Sequence, residues 1–205
     1  CRKPWPPQLV LALIALARLL GEEAVALCLA LMFHCLLRPK EATLLCTKHF
    51  NVGEDMQWLS RQVGVVTLME PKTRRTGPRV QHVTIENSCL LNDLRAFLTT
   101  RQPEEVVFPS YASLDRLTKA WLTKLLGAGH GLTLGGLRAG GATYFFLETE
   151  NVPWVQRRGR WSSARSLDHY VQQATAVLTS ASWAAESRAK VDTLARQSPP
   201  YLART

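Results

Sequence analysis

The sequence predicts a mainly helical α+β domain with a small three-stranded antiparallel sheet. Three observations lead to this fold class. The 205 residues are 46% apolar, which suits one well-buried core and leaves little room for a second full domain. Apolar stretches before Arg38 and capped stretches after Ser88 are typical of helices. Between His49 and Ile85 the pattern changes to short extended segments, which is typical of strands.

The composition favours a polyanionic partner such as nucleic acid. Lys and Arg number 25 against 16 Asp and Glu, which gives a net charge of +9 and a pI near 9.7. Charge alone leaves open a protein that is merely basic. The five cysteines form no C-x-x-C pair, which indicates reduced thiols in an intracellular protein. In a eukaryote, binding to DNA would place it in the nucleus.

The N-terminal part predicts a linker followed by two core helices. Residues 1–7 are basic and proline-rich, as expected of a linker from an upstream module. The helices are expected at Gln8 to Leu20 and at Glu22 to Leu37, on either side of a glycine. Each apolar run is interrupted by an arginine or a histidine and is too short for a membrane span, so no membrane partner is expected.

The next segment, R-P-K-E, predicts a helix start. Pro39 suits the first position of a helix, so Arg38 lies at the junction and Glu41 lies one turn inside. By itself, an Arg and a Glu three positions apart are more often a surface pair that contributes a few tenths of a kcal/mol.

Three strands and a basic turn are expected next. The strands are His49 to Val52, Val63 to Met69 and Val80 to Ile85, with a turn at Thr73 to Pro78. The basic stretch K-T-R-R-T-G-P-R around this turn contains one lysine, Lys72. A solvated turn that contacts phosphates without chemistry remains the alternative for it.

The rest of the chain predicts five further helices, of which the first four begin at a capping residue. They are Ser88 to Thr100, Ser113 to Leu126, Asn151 to Arg158, Ser163 to Tyr170 and Ala174 to Ala195. Gly140 and Gly141 lie inside another apparent helix, where glycine costs about 1 kcal/mol against alanine. They therefore predict a close contact, either with the core or with DNA.

Two motifs carry the functional signal. They read G-G-L-R-A-G-G-A-T (Gly135 to Thr143) and R-R-G-R-W-S-S-A-R-S-L-D-H-Y-V (Arg157 to Val171). Together with the earlier R-x-x-E and the basic hairpin, they resemble the catalytic boxes of the tyrosine recombinase (integrase) family. The amino-acid sequences of these motifs are most similar to those of recombinases from DIRS-like and Crypton-type mobile elements. The resemblance covers Arg38 to Tyr170, most of the chain, and rests on the joint order and spacing of these motifs.

The resemblance implies the tyrosine recombinase catalytic-domain fold and phosphoryl transfer on DNA with no metal or other cofactor. It implies that Tyr170 attacks the scissile phosphorus and leaves a 3′-phosphotyrosine and a free 5′-hydroxyl. Arg38 and Arg138 would bracket the phosphate, since guanidinium groups match its oxygens. Lys72 would be the general acid toward the 5′ oxygen, and Trp161, nine positions before Tyr170, would donate its indole N–H to the phosphate.

Two supporting positions follow from the same resemblance. Glu41 would buttress Arg38. Gly135 stands where the family's H-x-x-R box usually has a histidine, and losing a positioned acid–base group typically costs about 10²- to 10⁴-fold in rate. His130 or His169 is a candidate substitute, although His169, next to the tyrosine on a helix, is expected to point elsewhere.

Basic residues cluster around these boxes and are expected to contact DNA phosphates, which gives affinity and salt dependence. They are Arg74, Arg75, Arg79, Arg157, Arg158, Arg160 and Arg165. A generic solvated face is the alternative.

The expected organisation is a linker (1–7), a catalytic domain (8–171) and a C-terminal helix and tail (172–205). The tail is a candidate for exchange between protomers, with Trp183 and Leu194 as candidate anchors. The expected partners are double-stranded DNA and further copies of the chain, as a tetramer on DNA. Three alternatives remain: a DNA-binding module that has lost catalysis, a type IB topoisomerase-like enzyme, and a helical protein with no nucleic-acid role.

Overall fold

The structure, a computed structural model, describes residues 3–58, 60–69 and 79–202. The helices are α1 (Pro7–Leu19), α2 (Glu23–His34), α3 (Pro39–Thr43), α4 (Ser88–Leu98), α5 (Tyr111–Leu126), α6 (Gly135–Thr149), α7 (Val152–Gly159), α8 (Ala164–Asp168), α9 (Gln173–Ala181) and α10 (Ala185–Ala195). The strands are β1 (Phe50–Asn51), β2 (Gln57–Trp58), β3 (Arg61–Gln62), β4 (Gly64–Leu68) and β5 (Gln81–Ile85). The predicted mainly helical α+β class is confirmed.

Helix α2 is the centre of the molecule because its sequence is apolar on every side. All its residues from Val25 to His34 are buried. It packs between α1 and α6 and also contacts α3 and α4, while α1 is covered by α10. None of the helices in the described ranges is long and apolar enough to cross a membrane.

The predicted three-stranded antiparallel sheet is present, in the order β1-β4-β5. Phe50 pairs with Val66, and Val66 pairs with Val83, so these three buried side chains lie on the core face of the sheet. A second, two-stranded hairpin formed by β2 and β3 was not predicted, because its strands are only two residues long and exposed and carry no apolar alternation.

Helix caps were predicted correctly at two ends and wrongly at two others. Asn151 accepts a hydrogen bond from Trp154 N (2.9 Å), and Ser163 accepts one from Ser166 N (3.2 Å), as expected. Helix α4, however, is capped by Asn87 rather than Ser88, and α5 by Ser110 rather than Ser113. In both cases an equally good capping residue precedes the predicted one, and its backbone is extended as a cap requires.

The single helix predicted at Ala174 to Ala195 is wrong, because the chain bends between α9 and α10. The Ser182 hydroxyl donates to Thr179 O (2.8 Å), so a side chain takes up a carbonyl of the last turn. The bend lets Trp183 pack against the main core. That contact is tertiary, and helical propensity alone does not anticipate it.

Residues 1–7 were expected to be a linker rather than a structured element, but the end of this segment packs against the fold. Trp5 is fully buried, its backbone N–H donates to Gly136 O (3.2 Å), and its indole N–H donates to Thr133 O (2.8 Å). The glycines Gly136 and Gly140 leave room for this segment to lie directly against α6. The sequence predicted a close contact of Gly140 either with the core or with DNA, and the structure shows a contact within the protein.

The C-terminal tail is anchored on its own chain. Tyr201 is fully buried, and its hydroxyl donates to Asp93 and accepts from Arg18 (2.5 Å). Trp183 and Leu194, the anchors expected from the sequence, are only partly buried against the same core. Tyr201 is thus the stronger anchor, and a terminal Pro-Pro-Tyr carried no periodic signal that would have indicated it.

Candidate active site

The site begins where α2 ends and α3 starts. Arg38 has an extended backbone and Pro39 occupies the first helical position, as predicted. One oxygen of Glu41, Oε2, accepts from the Arg38 backbone N–H (2.8 Å), and the other, Oε1, accepts from Arg38 Nη1 (2.6 Å). The Glu41 side chain is 5% exposed and Arg38 is 23% exposed, so Arg38 is the member of the pair that reaches solvent.

Helix α6 supplies Arg138, whose side chain is 2% exposed. It donates to the carbonyl of Leu36 (2.8 Å) and to that of Gly159, and so links the ends of α2 and α7. Its Nη1 is 3.8 Å from Glu41 Oε2, and its Nε is buried with no hydrogen-bond partner among the described residues.

The second motif brings two rings over Arg138. The rings of Trp161 and Tyr170 are in contact, with centroids 4.9 Å apart. The Arg138 guanidinium lies 4.6 Å from the Trp161 ring centroid and 5.5 Å from that of Tyr170. The Trp161 indole N–H is buried and has no partner within the described part of the chain. A buried donor of this kind is rare in proteins, and the Nε atoms of Arg138 and Arg160 share this state in the described ranges.

Glu41 is shared by three arginines. Besides Arg38 and Arg138, Arg160 pairs with it through Nη2 and Oε2 at 2.7 Å. In the described ranges these three arginines have no other carboxylate partner, so two positive charges are left without a partner. Burial, together with the charges of Arg38 and Arg160, lowers the pKa of Arg138 below its ordinary value. The cluster is therefore suited to a bound anion.

Solved structures with the same architecture exist. One is the XerH site-specific recombinase bound to difH substrate in a pre-cleavage complex, with 14% identity and a TM-score of 0.61, covering 84% of this chain and 52% of that chain. Another is XerH bound to palindromic difH substrate in a post-cleavage complex, with 14% identity and a TM-score of 0.58, covering 87% and 53%.

The chain has the tyrosine recombinase fold. At this identity the likeness establishes the fold alone, and the chain spans about half the length of the structures it matches. A scan against protein-family models and a search of curated proteins find no match.

On this fold, six of the residues singled out from sequence come together: Arg38, Glu41, Arg138, Arg160, Trp161 and Tyr170. Gly135 is buried at the start of α6, one turn before Arg138. Of the candidate histidines, His130 accepts from Leu132 N (3.0 Å), and Lys3 lies beside it. His130 thus lies near the N-terminal segment, and none of these contacts is with the cluster.

The expected phosphate-contacting arginines divide into exposed and internal ones. Arg79, Arg157 and Arg165 are exposed, which suits contact with DNA. Arg158 is not free for that role, because it donates to His34 O (2.9 Å), pairs with Glu86 (3.2 Å) and has a side chain only 7% exposed. Arg160 is internal too. Lys72, Arg74 and Arg75 lie outside the described residues.

A surface pocket of about 300 Å³ lies beside Arg158 rather than at the tyrosine. Trp154, Arg157, Glu86 and Cys35 are among its lining residues. Arg158 forms part of the pocket wall, where its hydrogen bond to His34 O and its contact with the Trp154 ring hold it. Arg38, Arg138, Trp161 and Tyr170 are not among the pocket's lining residues.

Sequence reasoning missed the role of Thr143. Its hydroxyl oxygen is 3.1 Å from Tyr170 O and accepts from Gln172 N (3.0 Å), so it holds the backbone on both sides of Val171. The signal was available, since Thr143 closes the first motif at a position between one and two turns after Arg138.

The pKa of Glu41 predicts an acid-dependent contribution to stability. Burial alone would raise that pKa, but nearby positive groups outweigh burial and hold the pKa below 4.5. These groups are the Arg160 charge, the Arg38 backbone N–H, and the charges of Arg38 and Arg138. The contribution is therefore full above the unfolded pKa and is lost as pH falls through the folded one. We expect the difference in free energy of unfolding between wild type and Glu41→Gln, from urea denaturation, to be constant above about pH 5.5 and to shrink below about pH 4.5.

Acid destabilisation by other groups is common to both proteins and cancels in this difference. A difference that stays constant down to about pH 3 would contradict a depressed pKa for Glu41.

Proposed function

We propose that this chain is the catalytic part of a site-specific tyrosine recombinase that cleaves and rejoins duplex DNA. The observation that carries the proposal is the placement of Arg138 against both the Trp161 and Tyr170 rings, within one cluster that also contains Arg38. The proposed nucleophile, excess positive charge and a buried N–H donor come from separate segments and lie in one cluster, which supports transesterification at phosphorus.

The proposed reaction exchanges one phosphoester bond for another. The Tyr170 hydroxyl gives up its proton to solvent as its oxygen forms a bond to phosphorus. The bond from phosphorus to the 5′ oxygen breaks, and that oxygen takes up a proton and leaves as a 5′-hydroxyl. The 3′-phosphotyrosyl bond conserves the energy of the broken bond, so a 5′-hydroxyl can reverse the step without ATP. Arg38 and Arg138 offset the charge that develops on the non-bridging oxygens, and Lys72 is proposed as the proton donor.

For complete recombination we propose self-association on DNA, with residues 172–205 exchanged between protomers. In the described structure this segment packs on its own chain, through α10 against α1 and through buried Tyr201. Exchange therefore requires release of these contacts, and we expect a monomer in the absence of DNA. Sedimentation that shows a stable tetramer of the free protein would contradict this. A DIRS-like or Crypton-type mobile element is the proposed source, with the protein acting in the nucleus of a eukaryote.

Covalent trapping tests the function. The protein is incubated with nicked duplexes drawn from a random-sequence pool. The nick lets the cleaved fragment diffuse away and leaves the protein attached to the DNA. An adduct that resists denaturation supports the recombinase. Salt-dependent binding without an adduct supports a second candidate, a DNA-binding module that has lost catalysis, which the glycine at Gly135 favours. Relaxation of a supercoiled plasmid without strand exchange would indicate a topoisomerase.

Trp161→Phe separates a catalytic donor from a packing residue. The substitution keeps an aromatic ring beside Tyr170 and removes the unpartnered N–H. We expect adduct formation to slow by about 10²-fold, the usual effect of losing one donor to a transition-state oxygen. The free energy of unfolding should fall by no more than about 2 kcal/mol, because only part of the side-chain volume is lost.

Trp154→Phe is the matched control. Trp154 also packs against an aromatic ring, that of Phe145 at 5.5 Å, but lies outside the cluster. It should lose comparable stability and keep its cleavage rate. Equal rates for wild type and Trp161→Phe would assign the indole to packing alone.

A further inference from the structure

Arg160 occupies a backbone conformation that does not suit it. It follows α7 with φ 58° and ψ 40°, in the left-handed region where helices usually end in glycine. A non-glycine residue in this region is disfavoured, and such outliers concentrate at functional sites. The benefit of having Arg at this position must therefore come from its side chain.

The Arg160 side chain is used inside the protein. Its exposure is 8%, its Nη2 pairs with Glu41 Oε2 at 2.7 Å, and its Nη1 donates to Cys35 O at 3.4 Å. Arg158 and Arg138 donate to the carbonyls of the residues on either side, His34 and Leu36. Three arginines thus donate to three successive carbonyls at the end of α2, and only Leu37 separates these residues from Arg38.

Glu41 Oε2 has two competing cations. It is held by Arg160, while Arg138 Nη1 is 3.8 Å away, too far for a hydrogen bond. Glu41 Oε1 is already used by Arg38. If Arg160 were absent, Arg138 would be the remaining close cation for Oε2, and a small shift would bring the two into direct contact.

We propose that Arg160 is a positioning residue that keeps Glu41 from neutralising Arg138. The Arg138 charge then remains available to the phosphate. This inference rests on the proposed function, because the phosphate is that of the cleaved DNA strand. Gly135 has no side chain that could add a further contact to the phosphate. The charge that Arg160 keeps available on Arg138 is therefore more important in this chain.

A double-mutant cycle at Arg160 and Glu41 tests the inference. The wild-type cluster has three arginines and one glutamate; Arg160→Gly removes one positive charge, Glu41→Gln removes the negative one, and the double variant restores the original net charge. Glycine suits the left-handed backbone, so Arg160→Gly is expected to fold. We expect Arg160→Gly to form adduct at least about tenfold more slowly than wild type, and the double variant to be faster than Arg160→Gly.

A second measurement is independent of cleavage. Inorganic phosphate is titrated into each protein, and the Trp161 indole N–H is followed by NMR. We expect phosphate to shift this signal in wild type. The affinity for phosphate should be about tenfold weaker in Arg160→Gly and should return toward the wild-type affinity in the double variant. Arg116→Gln, which removes an exposed charge from α5, is the control for net charge and should bind as wild type does.

The outcomes separate the two proposals. If wild type forms no adduct but the phosphate titrations follow the expected order, the recombinase function fails, whereas the effect of Arg160 on phosphate binding at Arg138 stands. A double variant no better than Arg160→Gly in the titration would overturn the inference, as would a Trp161 signal that does not respond to phosphate in wild type. The same cycle is repeated with Arg160→Gln in place of Arg160→Gly and must give the same order of phosphate affinities. The conclusion then does not depend on how well the glycine variant folds.

Discussion

Tyr170→Phe is expected to abolish the covalent protein–DNA adduct and to leave salt-dependent DNA binding intact. The substitution removes the hydroxyl oxygen that is proposed to bond to phosphorus. The remaining ring keeps its contact with Trp161, at 4.9 Å between centroids, and its position near the Arg138 guanidinium. The free energy of unfolding should therefore change by less than about 0.5 kcal/mol, as for substitutions that leave packing in place. Denaturing gels of the trapped nicked duplex measure the adduct, and a salt titration measures binding.

Tyr111→Phe is the matched control, because Tyr111 is 45% exposed at the start of α5, away from the cluster. It should form adduct at the wild-type rate. An adduct that persists in Tyr170→Phe would assign the nucleophile to another residue and would remove the main support for the proposed mechanism.

Gly140→Ala is expected to destabilise the fold, although helix propensity predicts the opposite. In an open helix this change stabilises by about 1 kcal/mol. At Gly140 a Cβ atom would lie 2.2 Å from the carbonyl oxygen of Trp5 and 2.9 Å from its backbone nitrogen. These are backbone atoms of a segment fixed by the Trp5 hydrogen bonds, so they cannot move aside without loosening the buried indole. We expect a loss of at least about 2 kcal/mol of unfolding free energy.

For a chain of this length such a loss lowers the thermal midpoint by about 4 to 8 °C. Leu147→Ala, at a 47% exposed position of the same helix, is the control and should change stability by less than about 1 kcal/mol. Unchanged or increased stability of Gly140→Ala would mean that the N-terminal segment does not pack against α6 in solution.

Local patterns were sufficient for most of the fold and for part of the site. The helices α1 and α2, the start of α3 at Pro39 and the antiparallel sheet were predicted because each depends on residues close in sequence. The caps at Asn87 and Ser110 were missed, since neighbouring residues of equal capping propensity compete and the backbone decides between them.

The candidate site shows the same division. The motifs alone determined which residues to consider, and the order of Arg38, Arg138, Trp161 and Tyr170 along the chain indicated one kind of chemistry. Only the tertiary structure decided which arginines face outward and which are internal. The sequence predicted that Arg158 and Arg160 contact DNA from the surface. Both side chains are instead buried, Arg158 by its hydrogen bond at the end of α2 and Arg160 by its ion pair with Glu41.

The physical reason is that a sequence pattern records spacing, whereas burial and charge pairing depend on segments far apart in the chain. Arg160 and Glu41 are 119 positions apart, and Trp5 and Thr133 are 128 apart. The sequence by itself determined the fold class and the residues proposed to react. The packing of α2, α6 and α7 decided that Trp5 belongs to the core, that Glu41 is shared by three arginines and that the Trp161 N–H has no protein partner in the described ranges.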